Sequence, residues 1–372
     1  MTIVIAPDKF KGSLTSFEFC DTATAAIQAV CPDAVVQALP LADGGDGFSE
    51  VIRHYYHTVN VDCDTTDPVG NVCRAVYQWQ ADTATAYIET AAASGLVLIK
   101  PDNETAKYAS TYGTGLMIQH AIEKGARHIV LGLGGSATTD AGTGILTALG
   151  FQFINAAGET LRPCGGNLQQ VQRIVVPEVL PDVDFTLACD VTNTLYGPRG
   201  AAFVFAPQKG ANADTVELLD IGLQHIAILY NKATGKDITF IEGTGAAGGI
   251  AAGLMSFFTA SISKGTDLVL EAAAFYNNLE KVSLIITGEG SIDAQTPDGK
   301  PVGVIARAGL QHNIPVIAFC GVCNDPVLLS KQMGLEQIVV ITPAGTPLQE
   351  AIMQARENLY KAMTAVMEKR KA

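Results

Sequence analysis

The sequence predicts an α/β protein of two domains. One is a doubly wound parallel sheet assembled from both ends of the chain; the other is a mixed α/β domain inserted between those pieces. Three observations predict this. Short apolar runs that stop at small or acidic residues alternate with helical patterns at both ends of the chain, the grammar of buried parallel strands with crossover helices. The middle instead reads as hairpins and isolated strands among glycine-rich loops. Finally, 372 residues are too many for one ordinary core, so about two domains are expected.

At the N-terminus "TIVIAP" is a strand, and Thr15 with Glu18 forms a capping box that opens a helix running through Val30. "AVVQALPLADGG" supplies a second strand and "FSEVIRHYY" another helix. Near the C-terminus "SLIITGEG" (283–290), "PVIAFCGV" (315–322) and "QIVVITPAG" (337–345) are three more strands, with helices at about 301–312 and 325–333. Ile352, Ala355, Leu359, Met363 and Val366 recur at helical spacing, and Lys369, Arg370 and Lys371 suit that helix's C-terminal end. In the middle, residues 60–90 read as antiparallel hairpins with turns at Pro68-Val69-Gly70 and near Asp82. "RIVVPE", "DFTLACDV" and a helix at about 212–233 follow. The expected division is 1–60 with 280–372 for the parallel-sheet domain and 61–279 for the insert, with the active site in the cleft between them. The strand 128–134 suits either sheet.

Composition narrows the partners. Hydrophobic residues make up 48% and charged residues 16%, with a formal charge of −13. That balance argues against nucleic acid and anionic membrane surfaces, and it obliges any anionic substrate to be met by local cations or a metal. The eight scattered cysteines are no disulfide framework in a chain this long, and "MTIVIAPDKFKG" is no signal peptide, so a reducing, cytoplasmic setting is expected. The uncharged stretch 243–263 carries Gly245, Gly249 and Gly253 at four-residue spacing, yet its glycine, serine and threonine content favours a buried helix over a membrane span. Cys320 and Cys323 lack the surroundings of a redox pair, and His54 with His57 fits an exposed helix face better than a metal site.

In open parallel sheets ligands bind beyond the carboxyl ends of the strands. The first strand ends at Asp8-Lys9-Phe10-Lys11, the second at Asp43-Gly44-Gly45-Asp46, and the third at Gly288-Glu289-Gly290-Ser291-Ile292-Asp293, with Lys300 beyond. Carboxylates can hold magnesium or accept a hydroxyl proton, and lysines can neutralise phosphate oxygens. In the insert, "IVLGLGGSATTDAGTG" (129–144) reads as strand, tight turn and helix, with side chains small enough for backbone N–H groups to reach a phosphate. Its candidates are Gly134, Gly135, Ser136, Thr138 and Asp140. A third segment, 189–211, contributes Asp190, Asn193, Arg199 and Lys209, and 243–254 is a further glycine-rich loop. No Walker A motif is present, whereas "GLGGSA" matches the permissive dinucleotide fingerprint G-x-G-x-x-A. A nicotinamide-dependent oxidoreductase acting on a small hydroxy acid is therefore an alternative, and a non-catalytic binding protein for a small acid is another.

Taken together, "APDKFKGSLT", "PLADGGDG", "GGSATTDAGTG", "CDVTNTLYGPRGAAFVFAPQKGA", "GAAGGIAAGL" and "TGEGSIDAQTPDGKPVGVIA" resemble the bacterial glycerate kinase family, class I, in order from Ile3 to beyond Ala306. The resemblance implies a flavodoxin-like first domain carrying the insert, with ATP and D-glycerate as substrates. It also implies transfer to the 2-hydroxyl rather than the 3-hydroxyl. On this reading Gly134, Gly135, Ser136 and Thr138 cradle phosphate together with Lys300, and Lys9 and Lys11 are the leading cations. Asp43, Gly44, Gly45, Asn193 and Arg199 bind substrate, while Asp43, Glu289 and Asp293 are candidates for Mg2+. Asp190 is the first choice for the base and Asp8 the second. Small-molecule partners only are expected, without nucleic acid or membrane, and a homodimer is allowed.

Overall fold

The computed structural model describes residues 1–45, 47–277, 279–293, 296 and 300–371. Asp46 lies outside the described residues, as does most of the segment 294–299. The chain divides into two compact units, Met1–Asp43 with Thr266–Ala372 and Gly44–Gly265.

The smaller unit is a five-stranded parallel sheet. Leu284–Ile292 lies at its centre, paired on one side with Thr2–Ile5, beyond which comes Val35–Ala38 at one edge, and on the other side with Val316–Cys323, beyond which comes Gln337–Val340. Counted within the unit, the spatial order is 2-1-3-4-5, the flavodoxin-like winding, whose topological switch point lies between the first and third strands. Ile3, Ile5, Leu284, Ile286, Ile317 and Phe319 bury one face of this sheet against Phe19, Ala23 and Ile27 of helix Ser16–Val30 and Leu359 and Met363 of helix Leu348–Lys371. Intervening residues such as Val4, Ile285 and Ala318 are equally buried, which is why these strands read as unbroken apolar runs. Thr15 accepts from the N–H of Glu18 at 3.1 Å while the Glu18 carboxylate accepts from the N–H of Thr15 at 2.9 Å, so the capping box read from sequence forms.

The larger unit holds a six-stranded mixed sheet in the order Thr259–Ser263, Asp184–Ala188, His128–Gly132, Thr85–Glu89, Val72–Gln80 and Val59–Thr66. The first four are parallel and the last two form an antiparallel hairpin. The strand that suited either sheet, His128–Gly132, is thus an interior strand of the larger one. A separate antiparallel pair joins Gln152–Ile154 to Arg173–Val175. One core of mainly aliphatic and aromatic side chains, including Tyr77, Phe185 and Tyr230, underlies the large sheet.

The joints fall at 43/44 and 265/266, not at 60/61 and 279/280. Helix Phe48–Tyr56 packs on strands Val72–Gln80 and Thr85–Glu89 of the larger sheet, burying Phe48, Val51 and Ile52. Its amphipathic pattern identifies a helix but not the sheet that receives its apolar stripe. The stretch 243–263 is a short buried helix, Ile250–Phe257, followed by a strand, and among the described residues no helix is long and apolar enough to cross a membrane.

Replacing Thr15 by Ala removes the N-cap acceptor and should lower stability by about 1 kcal/mol, read as a reduced urea midpoint at an unchanged slope.

Candidate active site

The carboxyl edge of the smaller sheet gathers five of the charged candidates. Asp8 follows the first strand and is 5% exposed; its N–H donates to the carbonyl of Gly288 on the neighbouring strand at 2.8 Å. Its carboxylate accepts from the N–H of Lys9 at 2.7 Å. Lys9 Nζ in turn lies 3.3 Å from Asp43 Oδ1 at the end of the second strand's extension. Across the switch point Glu289, also 5% exposed, accepts from Thr296 Oγ1 at 2.9 Å and from Lys300 Nζ at 3.3 Å. Lys11 and Asp293 are exposed.

These acids perturb one another. Burial and the neighbouring Asp43 push Asp8 from 3.8 up to about 7, with the Lys9 ammonium opposing the shift. Burial also raises Glu289, against the pull of Lys300 and Thr296. A buried carboxyl raised to about 7 beside a lysine is a group able to exchange a proton near neutrality. Among the described residues no group of three or more His, Cys, Asp or Glu is placed to hold a metal ion, so Asp43, Glu289 and Asp293 do not form a closed cage.

In the larger unit the strands His128–Gly132 and Asp184–Ala188 are parallel, so the loops after them emerge at the same sheet edge. The loop after the first is built on glycine. A Cβ at Gly132 would lie 2.7 Å from the carbonyl oxygen of Gly44, and one at Gly134 would lie 2.5 Å from the Cα of Gly45. Gly44 and Gly45 therefore meet the loop backbone to backbone, and their packing role is direct. Gly135 is exposed and left-handed at φ +70°. Its carbonyl accepts from Leu96 and the N–H of Ala137 donates to Ser94. Among the described residues, the N–H groups of Gly134, Gly135 and Ser136 make no backbone hydrogen bond. Donors left open at a strand's carboxyl end are what an anion requires.

Other members of the motif face inward. Thr138 is fully buried, and its hydroxyl has no hydrogen-bond partner among the described residues. Asp140, also fully buried, receives the N–H and Oγ1 of Thr111, both at 2.8 Å, and the N–H groups of Gly142 and Gly144 at 3.1 and 3.2 Å. It is a structural latch that ties the loop to the helix Tyr112–Glu123; burial raises its carboxyl despite those donors.

Asp190 lies two residues past strand Asp184–Ala188 with its carboxylate oxygens shielded from solvent. Asn193 holds its own loop, donating Nδ2 to the Arg199 carbonyl at 2.7 Å and accepting from the N–H of Gly245 at 2.9 Å. The Arg199 side chain is exposed. The glycine stretch 243–254 packs these loops together: a Cβ at Gly245 would meet the Thr194 carbonyl at 2.2 Å, and one at Gly248 the Thr138 carbonyl at 2.0 Å. A Cβ at Gly249 would likewise stand 2.9 Å from the Cα of Ala141 and one at Gly253 2.5 Å from its carbonyl, so the four-residue spacing serves contacts within the chain.

One residue that the sequence left without a role is Lys209. It is 2% exposed, and its Nζ donates to the Thr138 carbonyl at 2.5 Å and lies 3.4 Å from Ser136 Oγ. Its only signal in sequence is a lysine wedged between apolar and glycine residues in "FAPQKGA".

Two sequence patterns do not acquire their suggested chemistry. After the G-x-G-x-x-A segment the next helix begins only at Thr143, so the tight strand-turn-helix of a dinucleotide fold is missing, and Glu159 stays exposed beyond it. Cys320 and Cys323 both sit inside strand Val316–Cys323, where burial raises the first to about 12 and also raises the second, the opposite of a reactive thiol. His54 and His57 are exposed.

With this geometry in place, the comparisons decide the family. The model of the glycerate kinase family matches residues 3–371. The chain belongs to the glycerate kinase family. It is 39% identical to the glycerate kinase of Bacillus subtilis strain 168 over 365 residues, covering 97% of this chain and 95% of that protein. It is 37% identical to the glycerate 2-kinase of Escherichia coli K12 over 367 residues, covering 97% and 96%. A crystal structure of a protein provisionally named glycerate kinase 2 from Salmonella typhimurium LT2 matches with a TM-score of 0.84 at 35% identity, covering all of this chain and 98% of that one. As a glycerate kinase family member the chain is a phosphotransferase, and the oxidoreductase alternative finds no support.

The closeness of Gly248 to Thr138 gives a direct test of how the loop is built. Gly248→Ala, at φ +72° with a carbonyl 2.0 Å from the new Cβ, should cost about 3 kcal/mol or more, seen as a lowered denaturation midpoint.

Proposed function

We propose that the protein transfers the γ-phosphoryl group of ATP to D-glycerate, at the 2-hydroxyl in preference to the 3-hydroxyl. The observation that carries this reading is the end-to-end match to the glycerate kinase family, residues 3–371. Each unit, taken by itself, carries groups suited to part of this chemistry.

The larger unit supplies the phosphate cradle, with the open N–H groups of Gly134, Gly135 and Ser136 at its rim and Thr138 buried behind them. Asn193 and Arg199 sit on the adjoining loop, where the exposed guanidinium suits a substrate carboxylate. Gly44 and Gly45 bring their chain close to the cradle by having no side chains. The smaller unit supplies proton and charge chemistry. Asp8, held near neutrality by burial and Asp43, has the pKa that a general base for a hydroxyl needs, and on that ground it ranks ahead of Asp190. Lys9, Lys11 and Lys300 offer positive charge in a chain whose formal balance is −13.

Magnesium fits the same edge in the way that ion is usually held. It keeps several waters and takes one or two carboxylates alongside substrate phosphate oxygens. Asp43, whose side chain is 42% exposed, and the exposed Asp293 are the residues that would hold it, whereas Glu289 is buried. Bound there, the ion would neutralise charge on the phosphate oxygens.

Phosphorus NMR of the protein with ATP, magnesium and D-glycerate, beside a control lacking glycerate, tests the reaction. A glycerate-dependent phosphomonoester signal is expected, split by one neighbouring proton for the 2-phosphate. Splitting by two protons would move transfer to the 3-hydroxyl, and unchanged ATP would remove the kinase reading.

Asp8 carries a second test. As the base it must lose its proton, so kcat/KM should rise with pH through about 7. Asp8→Asn should reduce kcat by roughly 10²–10⁴-fold. Stability should move the other way. With its folded pKa above the unfolded value, native Asp8 binds its proton more tightly, so stability falls as pH climbs from the unfolded pKa towards about 7. The Asn variant should therefore melt higher than the parent above pH 7. A variant with parental turnover would reassign the base, with Asp190→Asn the next one to examine.

A further inference from the structure

We propose that Lys209 is the positioning residue of the phosphate loop: its buried ammonium holds the Ser136–Thr138 segment from the interior and gives the loop a fixed positive charge. This rests on the reading of that loop as the cradle for the phosphates of ATP.

Lysine is almost never fully buried unless it is paired, because an ammonium removed from water loses its hydration. Lys209 is 2% exposed, and the partners that compensate it are two neutral oxygens of the loop, the Thr138 carbonyl at 2.5 Å and Ser136 Oγ at 3.4 Å. Among the described residues no carboxylate lies within ion-pair distance of it. Asp140 acts on it only through space, and four donors already saturate that carboxylate. The lysine charge is therefore not cancelled by contact, and its field reaches the segment where Gly135 is exposed and the N–H groups stand open. In a protein of formal charge −13 an anionic nucleotide needs such a local cation.

The lysine also arrives on a rigid base. It ends the short turn Pro207–Lys209, and Gly210 follows at φ +100°, where a Cβ would lie 2.5 Å from the N of Asp102. Two residues on, the N–H of Asn212 donates to Asn103 Oδ1 at 3.0 Å. The helix Asn103–Tyr108 packs against this turn. It brings Asp102 at its N-cap, already accepting from the N–H groups of Glu104 and Thr105, and the Glu104–Lys107 pair at 3.1 Å. Asp140 is the charged group whose field acts on Lys209, and the charges of this helix engage one another and its own backbone N–H groups. A space-filling role alone would be met more stably by an apolar side chain, so the ammonium is retained for its charge and its bond to the loop.

Lys209→Met keeps the volume and removes the charge. It is measured beside Lys209→Arg and Ser136→Ala by steady-state kinetics with ATP and D-glycerate varied separately. Expected for Lys209→Met is an ATP KM raised at least tenfold, a D-glycerate KM within twofold of the parent, and a melting temperature equal to or above it. Lys209→Arg should recover part of the ATP KM. An ATP KM unchanged in a folded Lys209→Met protein, or both KM values rising together, overturns the inference. If Ser136→Ala raises the ATP KM while Lys209→Met does not, the lysine inference fails and the cradle reading stands; if neither moves it, the cradle reading itself fails. Should Lys209→Met not fold, the parent enzyme decides. Burial lowers Lys209 to about 8, so its ATP KM should climb between pH 7.5 and 9.5 while the D-glycerate KM stays flat. A flat ATP KM overturns the proposal.

Discussion

The carbonyl of Thr138 is the point on which the larger unit's site depends. Lys209 donates to it at 2.5 Å, and Gly248 approaches so closely that a Cβ would stand 2.0 Å from it. Two residues later the chain enters the Asp140 latch, and Ala141, left-handed at φ +54°, donates its N–H to the Gly248 carbonyl while its own carbonyl accepts from the Tyr230 hydroxyl. A non-glycine residue in that conformation costs on the order of 1 kcal/mol or more, and it persists because the surrounding bonds over-determine it. Loops from three distant parts of the sequence are thereby locked into one shape, in which the N–H groups of residues 134–136 make no backbone hydrogen bond among the described residues.

The smaller unit solves a different problem, that of holding one buried acid beside two ion pairs. The ion pairs Lys9–Asp43 and Lys300–Glu289, each at 3.3 Å, flank Asp8 on either side of the switch point. Asp8 lies within electrostatic reach of both acids. Two like charges and a dry environment raise it together, while the Lys9 ammonium keeps it from being permanently protonated. The winding of the sheet makes this possible, because the first and third strands run side by side and release their ends together.

Much of the fold was legible because it is local. The helices Ser16–Val30 and Pro301–His312 announce themselves by a capping box and by a proline at the first helical position, and the hairpins of residues 59–89 by their turn residues. The joints were less legible, since helix Phe48–Tyr56 carries an apolar stripe that either sheet could have received. The strand-end acids of the site stood out in sequence because parallel strands place their ends predictably. The latch of Asp140 and the burial of Thr138 did not, because they depend on Thr111 and on Gly248.

By itself the sequence determined the two-unit α/β plan, the strands and helices, the family, and the set of small, acidic and basic residues from which a site could be made. Periodicity, caps and turn residues act over a few positions, so they survive reading in one dimension. Only the tertiary structure decided which of those residues lie at an open edge and which serve as internal struts. Lys209 and Thr138 stand 71 positions apart, and nothing in the local chemistry of either distinguishes a solvated lysine from a buried one. Burial and proximity arise when distant segments pack, and they set the pKa of Asp8, the latch at Asp140 and the charge beneath the loop.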